Sequence, residues 1–140
     1  MKRPILTTYQ LLIGVSDAAT GLMLMLAPQF TLHLMGLRAP EDAEPYLSFV
    51  GAFVFSVGVA CLYGAKLASC DGCKRKLGTV WLLTAVTRGT VALFVTDSVL
   101  SGKLPVGWMT VAVFDALCAI IQSIGLQKGW LNNAATTLTK

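Results

Sequence analysis

Four long apolar stretches constrain the fold of this chain more than any other feature. They cover residues 5–27, 46–65, 79–99 and 105–126. Each approaches or exceeds the roughly 20 apolar residues that a membrane-spanning helix requires. In a chain of 140 residues they leave little beyond short connectors. We therefore predict a single domain, residues 1–140, that forms an all-α, four-helix transmembrane bundle with antiparallel, up-down-up-down topology.

The composition agrees with a membrane protein. Hydrophobic residues make up 55% of the chain and charged residues 13%, and the mean hydropathy is +0.69. A soluble fold of this size needs more polar surface than these residues supply. Membrane lipids are therefore the first expected partners. The formal net charge of +4 indicates attraction to anionic lipid headgroups, and no nucleic-acid partner is expected.

The distribution of basic residues predicts the orientation of the bundle. Eight of them fall on one side of the four spans: Lys2, Arg3, Lys66, Lys74, Arg75, Lys76, Lys128 and Lys140. The two connectors on the other side hold only Arg38 and Lys103. Because lysine and arginine accumulate in cytoplasmic segments, both termini of this multi-pass protein are expected in the cytoplasm.

The connector after the first span predicts a short helix in the membrane interface. In "PQFTLHLMGL", the apolar residues Phe30, Leu34 and Leu37 share helical spacing, as in an amphipathic interfacial helix. Pro28 suits the first position of this helix and Gly36 suits its end.

Small residues and tryptophans predict how the spans pack and where they end. Small residues at helical spacing allow close approach of another helix. They form three stripes: Gly14, Ala18 and Gly21 on the first span, Ala52, Ser56, Ala60 and Gly64 on the second, and Ala112, Ala116 and Ala119 on the fourth. Tryptophans near span ends favour the headgroup level, and this predicts an interfacial place for Trp81, Trp108 and Trp130.

Three charged residues interrupt the apolar stretches at one depth. Asp17, Arg88 and Asp115 each lie 9 to 12 residues from the predicted cytoplasmic end of their span. At about 1.5 Å per residue this corresponds to a depth of roughly 14–18 Å, near the midplane of a hydrocarbon core about 30 Å thick. An unpaired charge at this depth costs on the order of 2.5–3.5 kcal/mol on insertion scales. We therefore predict that the three side chains pair.

The charges of such a cluster do not balance. The guanidinium of Arg88 stays protonated and has enough donors to hold Asp17 and Asp115 together. Two carboxylates and one cation leave a formal charge of −1, which is costly in a low dielectric. Either one aspartic acid is protonated or a cationic or hydrogen-bonding group joins the site. A purely structural latch that fixes the packing of three helices is the alternative interpretation.

Further polar residues are expected to face this cluster. Thr84 precedes Arg88 by one turn, and Ser56 brings the second span to the same level. Gln10 and Gln122 lie two turns from the two aspartic acids. The predicted ligand-binding or proton-relay residues are therefore Asp17, Arg88, Asp115, Gln122, Gln10, Thr84 and Ser56.

The cysteines suggest a different chemistry. Cys70 and Cys73 form a C-x-x-C pair in "SCDGCKRK", which suits thiol–disulfide exchange or metal capture. A zinc site requires four ligands, and no second pair lies on that side. Cys61 and Cys118 fall inside spans and are interpreted as packing residues. His33 is the only histidine, so haem held by two histidines of this chain is excluded. We predict no metal centre and no cofactor.

The order of these features resembles the DoxX-like small bacterial four-helix membrane proteins, which are largely uncharacterised. The resemblance rests on "GLMLMLAPQF" with "LHLMGL", "FVGAFVFSVGVACLYG", "TAVTRG" and "AVFDALCAIIQSIGL", and covers nearly the whole chain. It implies a four-helix bundle in the bacterial cytoplasmic (inner) membrane. It also implies that Arg88 and Asp115 match the buried base and acid of the family, whereas Asp17 is not mapped onto a family position and the Cys70–Cys73 pair is not part of the shared pattern.

The leading hypothesis is a non-enzymatic bundle whose midplane cluster binds a small amphipathic ligand or relays a proton. A second hypothesis is a membrane thiol oxidoreductase that uses Cys70 and Cys73 with a quinone or quinone-like ligand. A third is a scaffold subunit, either in a homodimer or in a larger membrane complex. Import of a heavy metal would require a second thiol pair, for which Cys61 and Cys118 are the only candidates.

Overall fold

The structure, a computed structural model, describes residues 3–38, 40–70 and 72–133, and these residues form helices and short connections. The α-helices are α1 (Arg3–Leu26), α2 (Pro28–Leu34), α3 (Glu44–Ala68), α4 (Lys74–Leu100), α5 (Met109–Gln127) and α6 (Trp130–Asn133). Single turns of 3-10 helix precede two of them, Glu41–Ala43 before α3 and Val106–Trp108 before α5.

The prediction of four membrane-capable helices is confirmed. The segments Pro4–Leu26, Glu44–Ala68, Lys74–Leu100 and Val106–Gln127 are long and apolar enough to cross a membrane. Large apolar side chains cover the outside of the bundle, and Leu93 and Leu100 are 75% and 77% exposed. Lipid is the solvent that suits such a surface, because exposed apolar area of this extent is unfavourable in water. The chain is therefore a multi-pass membrane protein.

Helices α1 and α3 pack closely through glycines. A Cβ atom at Gly58 would lie 2.4 Å from the backbone nitrogen of Ala18, and one at Gly21 would lie 2.3 Å from that of Phe55. Gly14 makes a similar approach to Leu62. The missing side chains allow the two backbones to approach, as in small-residue interfaces of membrane helices. The predicted contact stripe on the first span is thereby confirmed.

The predicted stripe on the second span is only partly correct. Gly51 and Gly58, seven residues apart, face α1, whereas Ser56 lies on the exposed surface of α3. Of the predicted stripe, Gly64 is buried, and a Cβ there would meet the side chain of Gln10. The depth along the helix was predicted correctly, but the rotation of α3 about its axis was not.

Apolar clusters close both ends of the interior. At the end where α1 and α4 begin, an apolar cap joins α1, α3, α4 and α6; we define it as Leu6, Leu67, Leu77 and Leu131. At the opposite end, a second cluster consists of Leu32, Leu37 and Leu47.

The short helix α2 forms where the sequence predicts it. Pro28 occupies its first turn, and Gly36, with φ of +70°, follows its end in the left-handed region that glycine tolerates. Phe30 and Leu34 are both exposed and lie on one face of α2. Leu37 instead packs inward, because the chain leaves the helical path at the glycine. The shared apolar face therefore includes only the first two of the three predicted residues.

Candidate functional site: a buried ion cluster and an amide layer

Three helices bring together the charged residues that the sequence places at one depth. Arg88 of α4 donates through Nη2 to Oδ2 of Asp17 on α1, and through Nη1 to Oδ1 of Asp115 on α5. The second of these contacts measures 2.5 Å. The side chains are 3%, 10% and 14% exposed for Arg88, Asp17 and Asp115. The predicted buried ion cluster therefore exists, and we refer to these three residues as the charged cluster.

The repeat along α4 explains why Arg88 points inward. Its buried residues recur at intervals of three and four and form one continuous face, with Trp81, Ala85, Ala92 and Val95 on the same side as Arg88. The guanidinium also lies 5.6 Å from the ring centroid of Phe114 on α5, within the range of a cation–π interaction. The arginine is therefore held by two ion pairs and one aromatic ring.

With both carboxyl groups ionised, the arrangement has a formal charge of −1. One guanidinium faces two carboxylates, and both carboxylates use the same cation. Removing ions from water costs several kcal/mol for each ion, and only paired ions recover this cost. Nε of Arg88 is also buried and has no hydrogen-bond partner among the residues that the structure describes. The charged cluster can therefore accept one positive charge or one proton.

A second polar group lies two turns from the charged cluster. Gln10, Trp81 and Gln122 are each 0% exposed, and each lies seven residues from a member of the charged cluster on the same helix. We call these three residues the amide layer. The ring of Trp81 lies 5.8 Å from that of Tyr9 on α1, and it occupies the position that a Cβ of Gly125 on α5 would take. Trp81 also packs in one buried cluster with the residues of the apolar cap, so the layer adjoins the cap on the side away from the charged cluster.

The polar atoms of the amide layer have no partners within the described part of the chain. They are the amide nitrogens and oxygens of Gln10 and Gln122 and Nε1 of Trp81. A buried donor or acceptor without a hydrogen bond costs about 1–3 kcal/mol. In native proteins such groups usually bind ordered water or a ligand. The interior therefore contains two polar levels, one charged and one neutral.

Two buried thiols lie between these levels. Cys61 of α3 and Cys118 of α5 are 0% and 3% exposed, as expected for packing residues. Cys118 lies between Asp115 and Gln122 on α5. Cys61 lies between Gly58 and Gly64 of α3, whose Cβ positions would meet Ala18 and Gln10 of α1. Sequence analysis did not place them at the site. For Cys118 the residue spacing could have predicted this position, because Cys118 follows Asp115 by three residues and therefore shares its helix face.

Two of the remaining predicted residues do not contribute polar groups to the charged cluster. Thr84 is buried beside Arg88, but its hydroxyl donates to the Val80 carbonyl at 2.8 Å. Ser56 is exposed, and its hydroxyl donates to the Ala52 carbonyl at 2.8 Å. The prediction that Ser56 faces the site is wrong, because α3 turns its glycine face towards α1 and its serine outward.

Trp81 was predicted at the membrane interface, and this prediction is also wrong. The residue is fully buried, whereas Trp108 and Trp130 are partly buried. The seven-residue spacing between Trp81 and Arg88 could have revealed this, because Gln10 precedes Asp17 by the same interval. Two turns of helix return a side chain almost to the same face.

The C-x-x-C pair is separate from the buried site. Cys70 and Cys73 form a disulfide with a Cα–Cα distance of 5.6 Å at the start of α4. Arg88 lies 15 residues further along the chain, or about 22 Å along the helix at 1.5 Å per residue. In residues 3–38, 40–70 and 72–133 there is no group of three or more histidine, cysteine or acidic residues that could hold a metal ion. His33 is exposed.

Comparison of the chain with protein-family models, with curated proteins and with solved structures finds no match. The function is therefore inferred from the buried side chains.

Proposed function

We propose that this membrane protein binds a small amphipathic ligand at its charged cluster or passes a proton there. The observation that carries the proposal is the pairing of one guanidinium with two carboxylates in a buried position. The negative charge in excess requires a proton or a cation, and ionisable residues inside membrane helices commonly mark transport or binding sites. A latch between two helices needs only one ion pair, and the second carboxylate adds a charge that the single guanidinium does not balance.

The proposal assigns a role to each charged side chain. Arg88 fixes both carboxylates through its planar fork and keeps them close to each other. Asp17 and Asp115 then share the site at which the compensating charge binds. A ligand with a cationic head satisfies this site and leaves its apolar body among the helices or in lipid. A proton on either aspartic acid satisfies the same demand when no ligand is present.

The placement of the protein in its membrane is part of the proposal. We propose an up-down-up-down bundle with both termini in the cytoplasm and with α2 lying in the opposite interface. Support comes from the basic residues near the ends of α3 and α4, such as Lys66 and Arg75. We further propose the bacterial inner membrane and the DoxX-like group, on the resemblance of "TAVTRG" and "AVFDALCAIIQSIGL".

Three probes with one chain length test the ligand-binding proposal. Decylamine, decanol and decanoate are added to the purified protein in detergent, and the thermal unfolding midpoint is measured. We expect decylamine to raise the midpoint most, because it alone brings a positive charge to the carboxylates. In Asp115→Asn, Arg88 and Asp17 balance each other. The advantage of decylamine over decanol should therefore disappear while the fold is retained.

Asp17→Asn is the matched variant on the other side of Arg88 and should behave in the same way. Asp97→Asn is the control, because Asp97 is exposed on α4 and should not alter the ranking of the probes. The latch interpretation is correct instead if no probe shifts the midpoint and both cluster variants unfold the bundle. Proton binding without ligand binding, which a relay requires, would appear as proton release on unfolding that is lost in Asp115→Asn, with no probe effect.

One observation favours a second candidate, a membrane thiol oxidoreductase. Cys70 and Cys73 are disulfide-bonded at the end of the bundle, and such pairs exchange with other thiols. Its weakness is the separation of about 22 Å from Arg88 along α4. A Cys70→Ser, Cys73→Ser double variant should lose quinone-dependent thiol oxidation, and unchanged turnover would eliminate this candidate.

A scaffold subunit, either in a homodimer or in a larger complex, is tested by the behaviour of the purified chain. A stable and monodisperse monomer in detergent argues against it.

A further inference from the structure

The amide layer presents a specific pattern of donors and acceptors. Gln10 and Gln122 each offer a carboxamide that both donates and accepts, and Trp81 offers an indole N–H that only donates. None of these polar atoms has a partner in the part of the chain that the structure describes, and all three side chains are fully buried. The packing around Gln10 is tight, because a Cβ at Gly64 would lie 2.3 Å from its amide nitrogen.

The pattern defines what can occupy the layer. Amide and indole N–H groups require an acceptor, while the two carboxamide oxygens require a donor. A group with an oxygen that accepts and a hydrogen that donates satisfies both requirements. No ionisable side chain belongs to the layer, so a charged occupant would lie without a counterion there. The occupant that satisfies these groups is therefore a neutral O–H group, supplied either by water or by an alcohol.

We propose that Gln10, Trp81 and Gln122 form a second binding site, two turns from the charged cluster, that holds a neutral O–H group. The group is either an ordered water molecule or the hydroxyl of the ligand. The seven-residue interval on α1, α4 and α5 puts both sites on the same helix faces, about 10 Å apart along the bundle. If the O–H group belongs to the ligand, the proposal rests on the proposed function; if it belongs to an ordered water molecule, it does not.

Methionine variants test whether the layer is occupied. Methionine has nearly the length of glutamine and no amide, so Gln10→Met and Gln122→Met remove the hydrogen-bonding groups with little change in volume. If an O–H group binds the amides, each variant loses these bonds and its unfolding midpoint falls by several degrees. If the layer is dry, each variant removes an unsatisfied buried group, and the midpoint rises. Gln127→Met is the control, since Gln127 is exposed on the same helix as Gln122.

Indole fluorescence gives a second readout that does not depend on the glutamine variants. In a Trp108→Phe, Trp130→Phe background, emission reports on Trp81. An indole N–H that donates to oxygen emits at longer wavelength than indole dissolved in alkane, and we expect the longer wavelength. A higher or unchanged midpoint in the methionine variants, or alkane-like emission from Trp81, overturns the proposal.

Two probes then identify the source of the O–H group. Cyclohexanol and methylcyclohexane have similar size and differ in the hydroxyl. A hydroxyl-bearing ligand is supported if cyclohexanol raises the midpoint of the native protein, has no effect on Gln122→Met, and methylcyclohexane has no effect on either. Water is supported if neither probe acts while the methionine variants are still destabilised. The charged cluster is intact in all these variants, so the decylamine test fails or succeeds separately.

Discussion

The interior of the bundle differs on the two sides of the charged cluster, although the same helix faces form both. On α1, Gln10 lies seven residues before Asp17 and Leu24 lies seven residues after it. On α4, Trp81 and Val95 lie at the same intervals from the arginine. All of these side chains are buried. We call the side that contains the amide layer the polar half and the other side the apolar half.

The difference shows that burial alone does not identify a site. Leu24, Ala92, Val95 and Ala112 line the apolar half and need no partner beyond each other. In the polar half, Gln10 and the other members of the amide layer need one. Among the described residues, unpartnered buried amide and indole groups lie on only one side of the charged cluster, and we expect ligand or water to enter from that side. The apolar cap, including Leu131 of α6, closes that side of the interior.

The largest effect on stability should come from substitution of Arg88, which lies between the two halves. Arg88→Met leaves two carboxylates in the interior without a cation and should lower the free energy of unfolding by about 3–5 kcal/mol. Val95→Ala, in the apolar half, should cost only about 1.6 kcal/mol, because it removes two methyl groups. Unfolding in mixed micelles, followed by circular dichroism, measures both.

A triple variant shows whether unbalanced charge causes the loss of stability in Arg88→Met. In Arg88→Met, Asp17→Asn, Asp115→Asn, the lost cation is accompanied by loss of both anions, so much of the stability should return. A triple variant as unstable as Arg88→Met would indicate that packing around the guanidinium, rather than charge, holds the helices together.

An intermediate effect is expected when the chemistry of the polar half is introduced into the apolar half. Leu24→Gln places a carboxamide among apolar side chains and should cost about 1–3 kcal/mol for the unsatisfied amide. Leu24→Met is the matched control and should cost less than about 1.5 kcal/mol. If Leu24→Gln is as stable as the native chain, the apolar half accommodates water and the contrast between the halves is lost.

The smallest effect concerns reactivity and leaves stability nearly unchanged. Cys118 in the polar half and a cysteine introduced by Val95→Cys in the apolar half are compared in a background with Cys61→Ala, Cys70→Ser and Cys73→Ser. Thiols react as thiolates, and a thiolate forms only where water can take the proton. A small neutral thiol reagent should therefore modify Cys118 faster, as measured by mass spectrometry over time. Equal rates would mean that both halves are equally hydrated.

The successes and failures of sequence analysis have one geometric origin. Depth along a helix follows from residue number at a fixed rise, so the pairing of Asp17, Arg88 and Asp115 was predictable and is confirmed. Rotation about the helix axis depends on which face meets a neighbour. Ser56 has the correct depth but the wrong rotation, since Gly58 faces α1 in its place.

Residue spacing also predicts two of the three members of the amide layer. Gln10 and Gln122 were assigned to the site because polar side chains two turns from the aspartic acids share their face. Trp81 was missed because its position near the end of a span also suits the headgroup region. Its fully buried indole shows that neighbouring helices compete with the interface for an aromatic side chain near a span end.

The order of residues was sufficient to establish four apolar helices, three charges at one level and an excess of negative charge, because hydrophobicity, helical rise and ionisation are local properties. The packing of the helices established that Arg88 reaches both acids, that Trp81 completes a polar layer and that Ser56 lies outside it. These outcomes depend on how closely glycine-lined backbones approach and on the resulting rotation of each helix, and both arise from contacts between residues distant in the chain.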